Sequence, residues 1–363
     1  MSCTKENMNK FIPVNEPIIG EKEKELVMEC LNTGWISSEG PFVNKFEEEF
    51  SSFVNREYGI SCTNGSSALD IAIAALGIGI GDEVILPTFT IISCASSIVR
   101  AGATPVIVDA ENDTWNMDTD QIEALITDKT VAIMMVHIYG HPVDVDKVLK
   151  IAEKYHLAVI EDSAELIGAE YKERKCGSFG DISTFSFYPN KHITTGEGGM
   201  VVTNDKSLAE KCRSLRNLCF QKNKRFVHEE LGWNFRMTNI QAALGLGQLE
   251  RINETLKKKR DIGKMYNKYL SDLPNIKLPL IKTKFSENIY WVYGILIDSE
   301  FDTAQSIINH LAKKGIGTRP FFCPIHRQPV FLKKGLFSNF KKNFIADDLY
   351  KQGFYIRSGV ALS

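Results

Sequence analysis

A lysine and a histidine stand side by side in YPNKHITTGEGG, residues 188–199. Three chemistries compete for this stretch: a phosphate cradle, a metal site, or a nucleophile held on a tight turn. Lys191 follows the apolar FSFYPN and precedes ITTGEGG, so it is expected between two strands, partly withdrawn from water. Burial lowers a lysine's pKa and frees its amine for attack on carbonyls. Asp162 follows the apolar run from Leu157 to Ile160, near the carboxyl end of a buried strand, where open α/β sheets hold their ligands. It is either a turn aspartate or a carboxylate in need of a cation, such as the protonated ring nitrogen of pyridoxal phosphate. CTNGSSALD at 62–70 places Gly65, Ser66 and Ser67 at the lip of a helical run. Asn64 or Ser66 would serve as an N-cap, and the same free N–H groups and hydroxyls suit an anion. The stretch matches neither G-x-G-x-x-G nor G-x-x-x-x-G-K-[ST], so dinucleotide and Walker-type readings lose support. Phe89 in LPTFT, at another strand end, is either core or a ring stacked on a planar cofactor. Jointly, the four features describe a pyridoxal phosphate site.

His192 neighbours Lys191, and adjacent side chains point to different sides of the backbone, so it is read as structural or peripheral. His137, His141 and His156 form no zinc-type spacing with it, and no metal is expected.

The elements that must position these residues are legible as β-branched runs: EVILP at 83–87, PVIVD at 105–109, VAIMMVHIYG at 131–140 and LAVIEDSAE at 157–165. Continuous apolar runs suit strands buried on both faces of a mainly parallel sheet. SALDIAIAAL and VDKVLKIAEKYH between them carry helical spacing, which makes the fold class α/β. DISTFSFYP and GGMVVTND read as two strands joined by the Lys191 loop. One long helix is expected from Asn239 toward Leu270, linking a large cofactor-binding α/β domain at 1–255 to a smaller α+β domain at 256–363. The smaller one would hold a strand in YWVYGILI, 290–297, and a helix in TAQSIINHLAKKG, 303–315.

The 363 residues suffice for two domains, each with its own core. At 44% apolar, 24% charged and a net charge of -2, the chain offers no electrostatic reason to bind nucleic acid or an anionic membrane, and a small molecule is the expected partner. Eight cysteines without a C-x-x-C pair read as reduced cytoplasmic thiols. MSCTKENMNKF has no apolar segment behind its lysines, and no run approaches the roughly 20 residues of a membrane helix, so neither secretion nor insertion is expected.

Across nearly the whole chain, TGWISSEGPFVNKFEEEF, NGSSAL, GDEVILPTFT, VHIYGHPVD, EDSAELIGAEY, GSFGDISTFSFYPNKHITTGEGGMVVTND, LGWNFRMTNIQAALGLGQLE and TRPFFCPIHRQP follow in order. In these blocks the sequence resembles the DegT/DnrJ/StrS family of nucleotide-sugar aminotransferases, which have the type I aspartate aminotransferase fold. The resemblance implies that Lys191 anchors pyridoxal 5'-phosphate covalently and then shuttles a proton. Asp162 would pair with the pyridine nitrogen, Phe89 would stack on the ring, and Gly65, Ser66 and Ser186 would hold the phosphate. Glu165, where many members have glutamine, would contact the phenolic oxygen. Asn234 would reach the cofactor of the other subunit in a homodimer, with Arg236 available for a carboxylate and His326 for the sugar-nucleotide pocket. The implied reaction moves the amino group of L-glutamate to C4 of a nucleotide-linked 4-keto-6-deoxyhexose. The product would be GDP-perosamine or dTDP-4-amino-4,6-dideoxyglucose for O-antigen or another surface polysaccharide, the nucleotide remaining open. Alternatives are a C3-aminotransferase, a 3-dehydratase, in which histidine replaces the lysine, and a non-catalytic sugar-nucleotide binder, which would have lost the lysine or the acid.

Overall fold

β-Branched runs with no polar alternation can be buried on both faces, and here they build one sheet. The computed structural model describes residues 11–221, 223–338 and 344–362. The stretch at 1–10, with its lysines and Cys3, lies outside them. In chain order the strands are β1 (Tyr58–Cys62), β2 (Glu83–Pro87), β3 (Thr104–Val108), β4 (Thr130–Val136), β5 (Ala158–Asp162), the short hairpin β6 (Glu170–Tyr171) and β7 (Arg174–Lys175), β8 (Ile182–Ser186) and β9 (Gly199–Thr203). Seven of them form a sheet in the order β1-β9-β8-β5-β4-β2-β3. β9 runs against both its neighbours and the other six are mutually parallel. The fold is thus α/β with a mostly parallel central sheet.

Helices cover both faces. On one, Phe46 and Phe50 of the helix Pro41–Phe53 meet the sheet, with Phe50 edge-on to Phe185 at 4.9 Å and to Phe187 at 5.1 Å. On the other, Leu69, Ile71 and Ile73 of the helix Gly65–Ala75 bury with Ile60, Leu86, Met134 and Ile160. Each such side chain contributes about 1.5–3 kcal/mol by leaving water, which fixes the sheet against its helices and hence the strand ends in space.

Three expected elements are shorter than their apolar runs. The run at 131–140 leaves the sheet after Val136, where Tyr139 (φ 51) and Gly140 (φ 103) turn the chain. A Cβ on Gly140 would strike the side chain of Asn288 and, at 2.7 Å, the amide of Tyr290. The helix expected across 239–270 breaks at Arg251 (φ -108, ψ 18) into Asn239–Glu250 and Ile252–Leu270. Arg251 leaves helical geometry with its Nε donating to Glu23 Oε1 at 2.9 Å. In YWVYGILI only Tyr293–Ile297 is strand, because Tyr290 (φ 48) departs from extended geometry.

A second sheet of four antiparallel strands, β10 (Ile276–Lys277), β11 (Tyr293–Ile297), β12 (Arg319–Pro320) and β13 (Gly353–Ile356), has the order β10-β11-β13-β12. The helix Ile252–Leu270 runs unbroken across position 255/256. Ile12 pairs with Ile316, and Val14 O accepts from Ser358 N, so the N-terminal strap joins the C-terminal part of the chain. No helix of the described residues is long and apolar enough to cross a membrane.

Candidate active site

The carboxyl ends of β1, β5 and β8 and the segment after β2 open onto one cavity of about 470 Å³. Asn64, just after β1, caps the helix Gly65–Ala75: its Oδ1 accepts from Ser67 N at 2.9 Å while Ser67 Oγ accepts from Asn64 N at 3.1 Å. The cap occupies Ser67, which leaves the N–H groups of Gly65 and Ser66 without helical partners. Ser66 Oγ lies 2.7 Å from Ser93 Oγ, and Ser186 closes the rim from the end of β8. Close approach requires glycine here. A Cβ on Gly65 would stand 2.8 Å from Ser186 Cβ, and one on Gly199 would strike the carbonyl of Asn64. The helix start is pressed onto β8 and β9, and its free donors converge on a cradle for a phosphate.

Asp162, the last residue of β5, is buried; its Oδ1 accepts from Ala164 N at 3.0 Å and its Oδ2 from Cys94 Sγ at 3.3 Å. Burial pushes its carboxyl up, and the Lys191 charge is among the groups that pull it back. Lys191, on the β8–β9 connection, holds its Nζ 3.7 Å above the centre of the Trp291 ring. Burial pushes this amine down from the usual lysine value, against the pull of Glu165 and Asp162. Trp291 is fixed in turn by its Nε1, which donates to Asn190 O at 2.9 Å. Glu165 Oε2 accepts from Tyr139 N at 2.8 Å, and burial raises the Glu165 carboxyl to about 8.

Thus Gly65, Ser66, Asp162, Glu165, Ser186 and Lys191 line one cavity. Phe89, His326, Asn234 and Arg236 do not. The Phe89 ring is fully buried among Tyr139, Phe321 and Phe322, with centroids at 5.8, 5.9 and 6.0 Å. It belongs to an aromatic core, and Ile91, two residues on and 42% exposed, lines the cavity in its place. His326 likewise lies off this cavity, buried in contacts of its own. Its Nδ1 lies 2.7 Å from Thr88 Oγ1 and its Nε2 3.2 Å from Asp347 Oδ1, so it ties the CPIH segment to the end of β2. Asn234 is exposed, and Arg236 Nη1 donates to Asn217 Oδ1 at 2.7 Å; both lie off the cavity of their own chain.

His192 turns the other way from Lys191, with its Nε2 3.4 Å from Ile289 O. The ligand-type atoms of His137, Glu161 and Cys176 come together beneath β4 and β5. His137 Nδ1 accepts from Val143 N at 3.3 Å, so its Nε2 carries the hydrogen given to Glu161 at 3.0 Å. Glu161 also accepts from Gly177 N at 2.6 Å, Phe179 N at 2.9 Å and Ser183 Oγ at 2.9 Å, which makes the group a hydrogen-bond hub of the floor.

Sequence reasoning missed Ser93, Tyr188, Trp291 and Tyr355 of the lining. Ser93 had a usable signal, a hydroxyl following a strand end at the start of another helix. Trp291 had none, since within YWVYGILI it reads as core and only a contact 100 residues away brings it beneath Lys191.

A buried acid, a desolvated lysine and a helix-start cradle around one cavity match the protonated nitrogen, the aldehyde and the phosphate of pyridoxal phosphate. Comparison with known proteins agrees. The GDP-perosamine synthase of Escherichia coli O157:H7 is 44% identical over 354 residues, 98% of this chain and 95% of that protein. The Helicobacter pylori aminotransferase involved in the biosynthesis of pseudoaminic acid superposes with a TM-score of 0.90 at 30% identity, over 98% of this chain and 95% of its own. A Streptococcus pneumoniae structure in its PLP form gives 0.89 at 28% identity, over 97% and 95%. With the pattern of the DegT/DnrJ/EryC1/StrS aminotransferase family matched over residues 17–363, the chain belongs to that family and uses pyridoxal phosphate.

Proposed function

We propose that the chain transfers the amino group of L-glutamate to C4 of a nucleotide-linked 4-keto-6-deoxyhexose, giving GDP-perosamine or a close relative for a surface polysaccharide. The observation that carries the aminotransferase reading is Asp162 and Lys191 lining one cavity opposite a helix start that is free to hold phosphate. The sugar rests on the 44% identity to a GDP-perosamine synthase along nearly the full length of both chains.

Bound pyridoxal phosphate supplies a protonated ring that accepts electrons and carries the amino group between the two substrates. Asp162 holds the proton on the ring nitrogen. Its carboxylate is buried with one N–H and one thiol as donors, so a cationic N–H is the partner it lacks. The gain from that pairing is large because little water competes. Lys191 Nζ, pushed toward its neutral form by burial, serves as the nucleophile and then as the base that moves the proton at the substrate carbon. Glu165, raised to about 8 by burial, would offer its carboxyl to the phenolic oxygen while Tyr139 N holds its other oxygen in place. The Trp291 ring closes one wall and limits water around the amine.

The working unit in this reading is a cytoplasmic homodimer. Asn234 and Arg236, off the cavity of their own chain, are left to serve the partner's site, and the cysteines of the described residues are all free thiols.

The test is a matched assay of glutamate with GDP- and dTDP-linked 4-keto-6-deoxyhexoses, following 2-oxoglutarate and the aminosugar. Faster turnover of the GDP sugar is expected. No turnover of either substrate removes the C4 reading and leaves family and cofactor standing.

A further inference from the structure

The cavity that holds Lys191 continues into a second one of about 330 Å³, and the two share Tyr188, Asn190, Trp291 and Tyr355 as common walls. Their charges are unevenly placed. Asp162, Glu165, Glu197 and Lys191 line the inner part, whereas the charged residue lining the outer one is Arg319. Arg319 stands on β12 directly opposite Tyr355 on β13, which puts the two side chains on the same face of the small sheet. Tyr355 senses both ends of the slot: burial raises its phenol to about 12, with Glu165 adding to the rise and Arg319 opposing it. Among the described residues Arg319 makes no ion pair; its Nη1 donates to the carbonyl of Thr318 at 2.9 Å. An exposed guanidinium at a cavity wall with no carboxylate of its own is a fork awaiting an anion.

Resting on the nucleotide-sugar reading above, two anions must be accommodated in this slot. The cofactor phosphate has the helix start at Gly65 and Ser66. A nucleoside diphosphate brings more negative charge, and at the inner end it would meet Glu197 and the cofactor phosphate. We propose that Arg319 is the residue that holds the diphosphate of the nucleotide sugar, so that the hexose lies between Tyr355 and Lys191 with its reacting carbon inward and the nucleoside toward solvent beyond β12. The opposite pose would set its phosphates against Glu197 and the cofactor phosphate and leave the guanidinium with nothing to bind. Glutamate also carries carboxylates, and the two sources of anion are separable because each substrate reacts in its own half of the cycle.

The experiment uses the holoenzyme with Arg319→Gln and Arg319→Lys. GDP and dTDP are titrated as ligands, and the glutamate half-reaction is followed separately through the visible spectrum of the cofactor. Loss of one charge-assisted fork weakens nucleoside diphosphate binding about ten- to hundredfold in the glutamine variant. The lysine variant, which keeps a point charge and loses the fork, falls between. The salt dependence of diphosphate binding flattens in the glutamine variant. Diphosphate binding within twofold of wild type in Arg319→Gln overturns the proposal. So does a loss confined to the glutamate half-reaction, which would make Arg319 the carboxylate anchor of the amino donor. If wild-type protein turns over no 4-keto sugar yet its diphosphate binding still depends on Arg319, the C4 reading fails and this one stands.

Discussion

Desolvation sets the chemistry of the lysine at this site and of the acids facing it. Burial pushes Lys191 toward the neutral amine and raises the Glu165 carboxyl to about 8, so the cavity favours a nucleophile beside a carboxyl donor. Lys191→Ala should therefore be colourless after gel filtration, lose borohydride-fixable cofactor, and fall in aminotransfer by at least about a hundredfold. Colour that borohydride still fixes to the variant would show that another group is the anchor. Glu165 also carries a stability signature in the cofactor-free protein. Its folded pKa of about 8 lies above the ordinary glutamate value of 4.5, so between these values the folded state binds more protons than the unfolded one, and stability falls as pH rises. Glu165→Gln should melt higher than wild type by a margin that widens from pH 5 to pH 8 and then levels off. A constant margin across that range would mean the carboxyl titrates normally.

At the scale of elements, the phosphate cradle is made by contact between a helix start and two strands. Gly65→Ala puts a methyl 2.8 Å from Ser186 Cβ, so the helix must back away from β8. Cofactor affinity is expected to drop about tenfold or more while the far-UV spectrum is kept, which equilibrium dialysis against pyridoxal phosphate would measure. The helix Ile252–Leu270 is clamped by Lys259, whose buried Nζ donates to Trp291 O at 2.8 Å and Ser358 O at 2.6 Å. Burial lowers this amine to about 7, and among the described residues it bonds to carbonyls and a hydroxyl with no carboxylate to balance it. Lys259→Met leaves two buried carbonyls bare, and urea denaturation should show a loss of about 2–4 kcal/mol. An unchanged midpoint would mean that water replaces the amine.

Over the whole molecule, the proposed homodimer with active sites shared across its interface predicts complementation. Lys191→Ala and Asn234→Ala homodimers should each be impaired, and mixing after reversible dissociation should restore about one intact site in four through random exchange. No recovery on mixing, with exchange verified by mass tags, would place Asn234 outside the partner's site. The sequence by itself determined that a mainly parallel sheet forms, since β-branched runs without polar alternation, set between helical spacings, suit strands buried on both faces. It also placed Asp162 near a strand's carboxyl end, Lys191 on a loop between two strands and Gly65–Ser66 at a helix start, the residue types that together describe one cofactor site. What only the tertiary structure decided depends on contacts between distant segments. Phe89 and Ile91 are both apolar and two residues apart, and which one faces the cavity is set by the room left among Tyr139, Phe321 and Phe322. His326 reads as a polar candidate until Thr88 and Asp347 close around it, and Trp291 and Arg319 reach the slot only because the small sheet packs against the end of the large one. Local pattern fixes which way a strand's faces turn; packing across hundreds of residues fixes which side chains are left with a cavity in front of them.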